Sequence, residues 1–530
     1  MYAHDNPPLM RGVSDDTNAP PIKRLHLELL SSILTLAVDA TFLDAIAFDE
    51  ENDKCTAPRR VACMQSSISF VDRRFRGATL LTAEFWRTIV LHLSGDGCIP
   101  PHIEDGTILH RAGILPLRVL CHVDPDVLPE HGSVKLDKLL RVLPKYFAKS
   151  SAFLLYLPQA SILDHSRWID FREVWVAGRI TQLWLRSYKC SNTPASNTRV
   201  WAYSLICLPS LREVRTNFSV SCISLLDGHA DVIDLSLHLT HLSSKSLSLG
   251  WVVHMLRDIP TLRELRVGTI LEDEFWGGLD VSQEHVEHFS LEVLYIENPS
   301  QSHALSSFTF PALKTLEYTS YQRTEDIPIP SWPEDPDDSD LDFFRHCSLE
   351  RLSVWHGPLS EDMTQILMCQ SSLTELSLHH FEEYGYTFGS VPSLPDSVLE
   401  FLHAPNLPLL RSLSLVVVAD QLALLRSMLA SRRVMNGSVL DTLALTIWNA
   451  GRLCRPSSTY TDEEYDGIRT YWQERNTAWT HSTLEDDLMH FEEDGVTVYL
   501  AYQGYSNWGC GKSYRNQIWT CAQTGKMGLQ

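Results

Sequence analysis

The 530-residue sequence lacks any run of about 18 uninterrupted apolar residues, the length a membrane-spanning helix requires. Its best candidate, Leu413 to Leu425, is cut by Asp420 and Gln421. It is poor in positive charge, with 44 Lys+Arg against 66 Asp+Glu and a formal net charge of −22. That balance argues against broad electrostatic binding to nucleic acid or to an anionic membrane. Its 12 cysteines, scattered from Cys55 to Cys521, include no C-x-x-C pair, so core thiols are expected rather than disulfides or a zinc site. Residues 1–20 hold no apolar segment that could serve as a secretory h-region. A disordered leader and a cytoplasmic or nuclear chain are expected.

Catalytic signatures are missing too. No G-x-S-x-G occurs. Gly509-Cys510-Gly511-Lys512-Ser513 looks faintly like a phosphate loop, but Ser506 stands where the first glycine of G-x-x-x-x-G-K-[ST] belongs. Glu284-His285-Val286-Glu287-His288 places two imidazoles three residues apart without the H-E-x-x-H order, and reads as an exposed polar turn. Neither an enzyme nor a cofactor or metal site is expected.

What the chain has in excess is leucine, 76 residues of it, and the leucines fall into a repeated phrase. Pro209-Ser-Leu211-Arg-Glu-Val214, Pro260-Thr-Leu262-Arg-Glu-Leu265, Pro311-Ala-Leu313-Lys-Thr-Leu316 and Pro408-Leu-Leu410-Arg-Ser-Leu413 share it, the first three prolines lying 51 residues apart. Versions without proline begin at Ile180, Val232, Leu291, Leu349, Leu373 and Leu440. The alternation that ends each phrase is that of a strand with one buried face. Stripes ahead of some phrases (Trp251, Val252, Met255 and Leu256; Leu422, Leu425, Met428 and Leu429) have helical spacing. A strand and a helix repeated every 20 to 40 residues or so stack into an α/β solenoid, with a parallel sheet on the concave side and helices outside. From Glu325 to Asp342 the chain carries eight acidic residues, four prolines and no Lys or Arg, which predicts an acidic surface loop over 325–342.

Over about Ile180 to Leu500 the phrases resemble the leucine-rich-repeat fold, in one of its longer classes that lack the usual asparagine. Ahead of them, Leu25-His-Leu-Glu28-Leu29-Leu30 begins a helix whose Leu29, Ile33 and Leu36 share one face. Val71-Asp-Arg-Arg74-Phe75-Arg76 and then Trp86 follow. This two-part pattern resembles the F-box. Leu25, Glu28, Leu29 and Leu30 match its opening helix and Val71, Arg74, Arg76 and Trp86 its second part, while His26 stands for the usual proline and Phe75 for the usual tryptophan. The expected organisation is a leader over 1–20, an all-α F-box-like domain over 21–90, a linking region or atypical first repeats over 91–179, the solenoid over 180–500 and a tail over 501–530.

The combination resembles the divergent fungal F-box/leucine-rich-repeat proteins. The resemblance implies a substrate-recognition subunit of a cullin ubiquitin ligase, with a Skp-type adaptor and a cullin as partners and Leu25, Glu28, Leu29, Leu30, Val71, Phe75 and Trp86 at the adaptor interface. The alternative is a free-standing repeat scaffold whose helical module caps the first repeat, as every solenoid requires. Residues between the buried leucines face the concave surface. Among them Arg266, Tyr295, Arg351 and Trp355 have the chemistry of interface anchors and form the candidate patch for a client protein.

Overall fold

The computed structural model describes residues 25–47, 65, 67–68, 71–93, 106–123, 141–159, 179–189, 210–217, 238–271, 285–297, 305, 308–319, 340–356, 359–380, 394–418, 421–434, 440–448 and 496–503. The leader, most of the acidic segment (325–339) and the glycine-lysine stretch after Tyr502 lie outside them. Two compact units divide the chain, Met1–Ser151 and Ala152–Gln530. The division thus falls neither at residue 90 nor at residue 180, where the sequence pattern put its boundaries.

In the first unit, helix α1 spans Leu27–Ala47 and helix α2 spans Arg73–Leu81, followed by a 3-10 turn over Ala83–Trp86. The Asp72 carboxylate caps α2 by accepting from the Arg74 and Phe75 amides at 2.8 and 2.9 Å, which satisfies two of the donors a helix start leaves open. This unit is not all-α. Strand β1 (Thr88–Leu93) begins inside the expected helical domain and pairs in parallel with β2 (Leu117–Val123), with helix α3 (Thr107–Ala112) between them. Asp39 of α1 receives a 2.6 Å bond from Arg118 of β2, tying the helices to these strands.

The second unit is α/β. Its large sheet runs β3 (Ser150–Gln159), β4 (Gln182–Lys189), β5 (Glu213–Thr216), β6 (His241–Ser248), β7 (Glu264–Leu271), β9 (Val293–Glu297), β11 (Thr315–Thr319), β12 (Arg351–His356), β13 (Glu375–His380), β14 (Ser412–Val418), β15 (Thr442–Trp448) and β16 (Thr497–Gln503). Every adjacent pair is parallel. Two short strands, β8 (Val286–Glu287) and β10 (Phe308–Thr309), pair separately. Helices α4 (Leu249–Asp258), α5 (Asp340–His346), α6 (Met363–Met368), α7 (Asp396–Phe401) and α8 (Leu422–Val434) lie between strands in the chain. The two expected helical stripes are buried, one on α4 and one on α8. Asp340–Asp342, the end of the acidic segment, begins α5 rather than continuing a loop.

Repeat geometry follows from the phrase. Its first residue (Ile180, Leu211, Leu239, Leu262, Leu291, Leu313, Leu349, Leu373, Leu410, Leu440) and its fourth (Leu183, Val214, Leu242, Leu265, Leu294, Leu316, Leu352, Leu376, Leu413, Leu443) are each at most 3% exposed. The fourth residues are in register from β4 to β15. Complete burial of a leucine is worth about 1.5–3 kcal/mol. The second residue holds neighbours together through its backbone, because its carbonyl accepts two amides of the next repeat. Thr374 O, for example, takes Arg411 N at 2.8 Å and Ser412 N at 3.0 Å. The same fork occurs at all nine junctions from Thr181 to Asp441.

The prolines have a local role. Leu262 N donates to Ile259 O, Leu313 N to Phe310 O and Leu410 N to Leu407 O. Each proline therefore sits second in a four-residue turn, where its fixed φ is pre-set and its missing N–H costs nothing.

One strand differs from the sequence expectation. The phrase at Val232 lies outside the described residues, and β6 instead uses Leu239-Thr-His-Leu242, seven residues later. The signal was weak there because the sixth position holds Ser244, a polar residue facing inward. Ser244 is satisfied by a bond from Thr216 Oγ1 at 3.2 Å and by donating to Ser246 O at 3.1 Å.

Two further positions are tightly constrained. Arg432 of α8 is buried and donates to Leu402 O at 2.7 Å, Asn406 O at 2.9 Å and Leu407 O at 3.5 Å. Burial lowers its pKa to about 10, which still leaves it a cation at neutral pH. At Gly268 in β7 an added Cβ would lie 2.2 Å from Lys245 O of β6. Gly268→Ala should therefore force the strands apart and cost about 1–3 kcal/mol, read as a lower urea midpoint of circular dichroism.

Candidate interaction surfaces

The first surface belongs to the helical part of the first unit. Helix α1 is apolar on two sides. Leu30, Leu34 and Val38, spaced by four, point inward and are buried, while Leu29 (54% exposed), Ile33 (45%) and Leu36 (67%) form the opposite stripe. A helix apolar all round is usually enclosed, so the outward stripe leaves apolar surface uncovered. Val71 and, on α2, Leu80 and Leu81 are also exposed. His26 precedes the helix, and its carbonyl accepts the first helical bond, from Leu30 N at 3.0 Å.

Of the seven residues that the resemblance puts at an adaptor interface, Leu29 and Val71 are exposed apolar groups, Glu28 is an exposed acid and Leu25 is half-buried. The remaining three face the interior. Leu30 lies under α1 and Phe75 under α2. Trp86 donates from Nε1 to Thr79 O at 2.6 Å, meets Phe85 edge-on at 5.2 Å and lies under the Arg111 guanidinium at 4.7 Å. Gln65 bonds the carbonyls of Phe85 and Thr88 at 3.1 and 2.7 Å. Leu30, Phe75 and Trp86 therefore hold the module together and present no surface. Ile33, Leu36, Leu80 and Leu81 take their place on the outside. The signal for the α2 pair was its helical spacing from Arg73 and Arg74.

The second surface is the sheet face opposite the buried leucines, formed by the third, fifth and seventh phrase positions. Arg266 of β7 and Tyr295 of β9 are register partners, so the strands bring them side by side. Arg266 also bonds Glu264 at 2.6 Å. Arg351 forms a two-pronged pair with Glu375 of the next strand, at 2.5 and 2.8 Å, and both remain exposed. Exposed pairs of this kind contribute about 0–1 kcal/mol, so a partner could exchange them at little cost. The fifth position then runs through Ser353, Ser377, Ser414 and Ala444 in register, giving a low path across four strands.

Trp355 does not join this surface. It is 2% exposed and stacks on His379, its register partner, with ring centroids 3.9 Å apart and planes 5° from parallel. Its Nε1 donates to Ser353 Oγ at 2.8 Å, and His379 Nε2 meets Ser414 Oγ at 2.9 Å. The client patch expected from sequence thus reduces to Arg266, Tyr295 and Arg351.

The His285–His288 segment contributes strand β8 rather than a turn, with His285 and Glu287 exposed as expected and His288 enclosed. His288 is buried, with Nε2 3.0 Å from Ile259 O and Nδ1 accepting from Ser290 N at 3.4 Å, and His285 bonds Thr309 at 2.8 Å. Among the described residues no group of three or more His, Cys, Asp or Glu side chains could hold a metal ion, and no helix is long and apolar enough to cross a membrane. Cys121 and Cys347 are buried thiols. Burial raises both above the ordinary range, Cys347 to about 12, far from thiolate reactivity at neutral pH.

Burial lowers the His379 pKa from 6.5 to about 3. Above pH 6.5 the imidazole is neutral whether folded or not. As pH falls from 6.5 towards 3 the unfolded chain binds a proton that the folded chain does not, so stability is lost across that window. His379→Phe keeps the stack and removes the titration. Urea midpoints between pH 6.5 and 5 should fall less steeply for the variant, by up to about one proton. Compared with known proteins, the sequence matches no family model and has no significant relative among curated proteins.

Proposed function

We propose that the chain is a divergent F-box/leucine-rich-repeat protein, the substrate-recognition subunit of a cullin ubiquitin ligase. Its first unit docks a Skp-type adaptor that joins the cullin, and the second face of its repeat sheet holds the client protein. The observation that carries the reading is the outward stripe Leu29, Ile33 and Leu36, on a helix whose other side is already packed. Such a stripe suits a partner groove, the mode in which an apolar helix face anchors at i, i+4 and i+7. The even register of buried leucines from β4 to β15 leaves the other sheet face to polar and aromatic side chains, which supports a binding role for that face.

A second reading has its own support. Leu30, Phe75 and Trp86 are spent on internal packing, which is all a cap on the first repeat would need, and the chain would then be a free-standing scaffold.

Co-purification separates the two. The full chain should recover a Skp-type adaptor and a cullin, and Leu29→Asp with Ile33→Asp should abolish that recovery. Both side chains are about half exposed or more, so the unfolding temperature should stay within a few degrees of wild type. Failure of the unmodified chain to recover an adaptor would leave the scaffold reading standing.

A further inference from the structure

Helix α2 presents a second feature beside the apolar stripe. Arg73, Arg76 and Leu80 lie at i, i+3 and i+7, so they share one face. Arg73, Arg76, Leu80 and Leu81 are all exposed, and Arg74 is partly so. No carboxylate pairs with any of the three arginines among the described residues. The acids close in sequence are Asp72, whose side chain caps the helix, and Glu84, which is exposed. In a chain of net charge −22, three adjacent unpaired guanidinium groups on a nine-residue helix stand out from their background. In the second unit Arg215, Arg263, Arg266, Arg351 and Arg411 pair with acids, and the exposed Arg179 and Arg212, which do not among the described residues, stand singly rather than in a cluster.

We infer that this face of α2 is a contact surface for the adaptor, and that the matching adaptor surface is acidic around an apolar centre. This rests on the docking reading above. The exposed leucines are desolvated on contact and set how long the complex lasts. The arginines act at a distance through their charge and set how fast it forms. A protein partner is favoured over an anionic membrane because the helix is only nine residues long and the chain as a whole is strongly acidic.

Stopped-flow association of the full chain with a recombinant fungal Skp-type adaptor tests this, at about 50 and about 300 mM NaCl, salt levels that bracket strong and weak screening. Relative to wild type, Arg73→Glu with Arg76→Glu should slow association roughly tenfold at low salt, with a dissociation rate changed by less than about threefold. The difference should shrink at high salt, while Arg73→Lys with Arg76→Lys should stay within about twofold of wild type. Circular dichroism of each variant guards against loss of fold. If the reversal leaves association within about twofold of wild type while Leu29→Asp with Ile33→Asp still prevents binding, the inference is wrong and the docking reading stands. If the adaptor does not bind the wild type, both fall. Sedimentation with vesicles containing phosphatidylserine closes the remaining route. Binding that the reversal abolishes, with adaptor association unchanged, would assign the arginines to lipid and overturn the inference.

Discussion

One backbone oxygen per repeat sets the geometry of the second unit. The carbonyl of the second phrase residue accepts two amides from the next repeat, and this fork fixes both the spacing and the register of neighbouring strands. Each such bond contributes only about 0.5–1.5 kcal/mol net, less than a buried leucine. Direction is what the fork adds, because burial has no register of its own. With the fork in place, the first and fourth leucines of every repeat fall on the same side, so the sheet has one buried face and a second face left for polar and aromatic groups. Thr240 and Thr374, themselves second residues, add their hydroxyls as donors to the forked carbonyls of the preceding repeats, Arg212 O at 3.0 Å and Glu350 O at 2.9 Å.

Much of this was legible because a phrase repeated many times averages out local noise. Leucine spacing gave the parallel sheet, and the helical stripes of α4 and α8 gave the elements between strands. It was not legible that β6 would begin at His241, since the cleaner alternation starts seven residues before Leu239, at Val232, and the phrase used carries a serine in a buried position. Trp355 was read as an interface anchor because alternation assigns a face and says nothing of what else covers that face. The stack with His379 depends on register across two strands, which no local pattern contains. The burial of Arg432 has no local signal either, because the carbonyls it meets, those of Leu402, Asn406 and Leu407, lie 25 to 30 residues back in sequence.

The helical unit shows the same limit from another direction. Helical periodicity placed Leu29, Ile33 and Leu36 on one face and Leu30 and Leu34 alongside, and the contacts decide which of the two faces inward. Phe75 and Trp86, the largest side chains of the motif, go to the interior because an aromatic ring gains most where it is wholly enclosed. Smaller aliphatic groups remain outside. His26 and Phe75, the two departures from the F-box pattern, are both accommodated, since His26 lies ahead of the first helical turn and Phe75 fills the space beneath α2.

The nine forks differ by no more than 0.3 Å in their bonds, which all lie between 2.7 and 3.0 Å. The chain that separates successive first leucines, however, varies from 22 residues (Leu291 to Leu313) to 37 (Leu373 to Leu410). Lengthening a connection costs little closure entropy, roughly 0.6 kcal/mol per doubling. Insertions between strands are therefore nearly neutral to the sheet, whereas a single residue gained inside a phrase would turn every following side chain to the wrong face. Such an architecture lets its connections drift in length and composition while the strand frame stays fixed, and new contacts can be tried out there without endangering the fold.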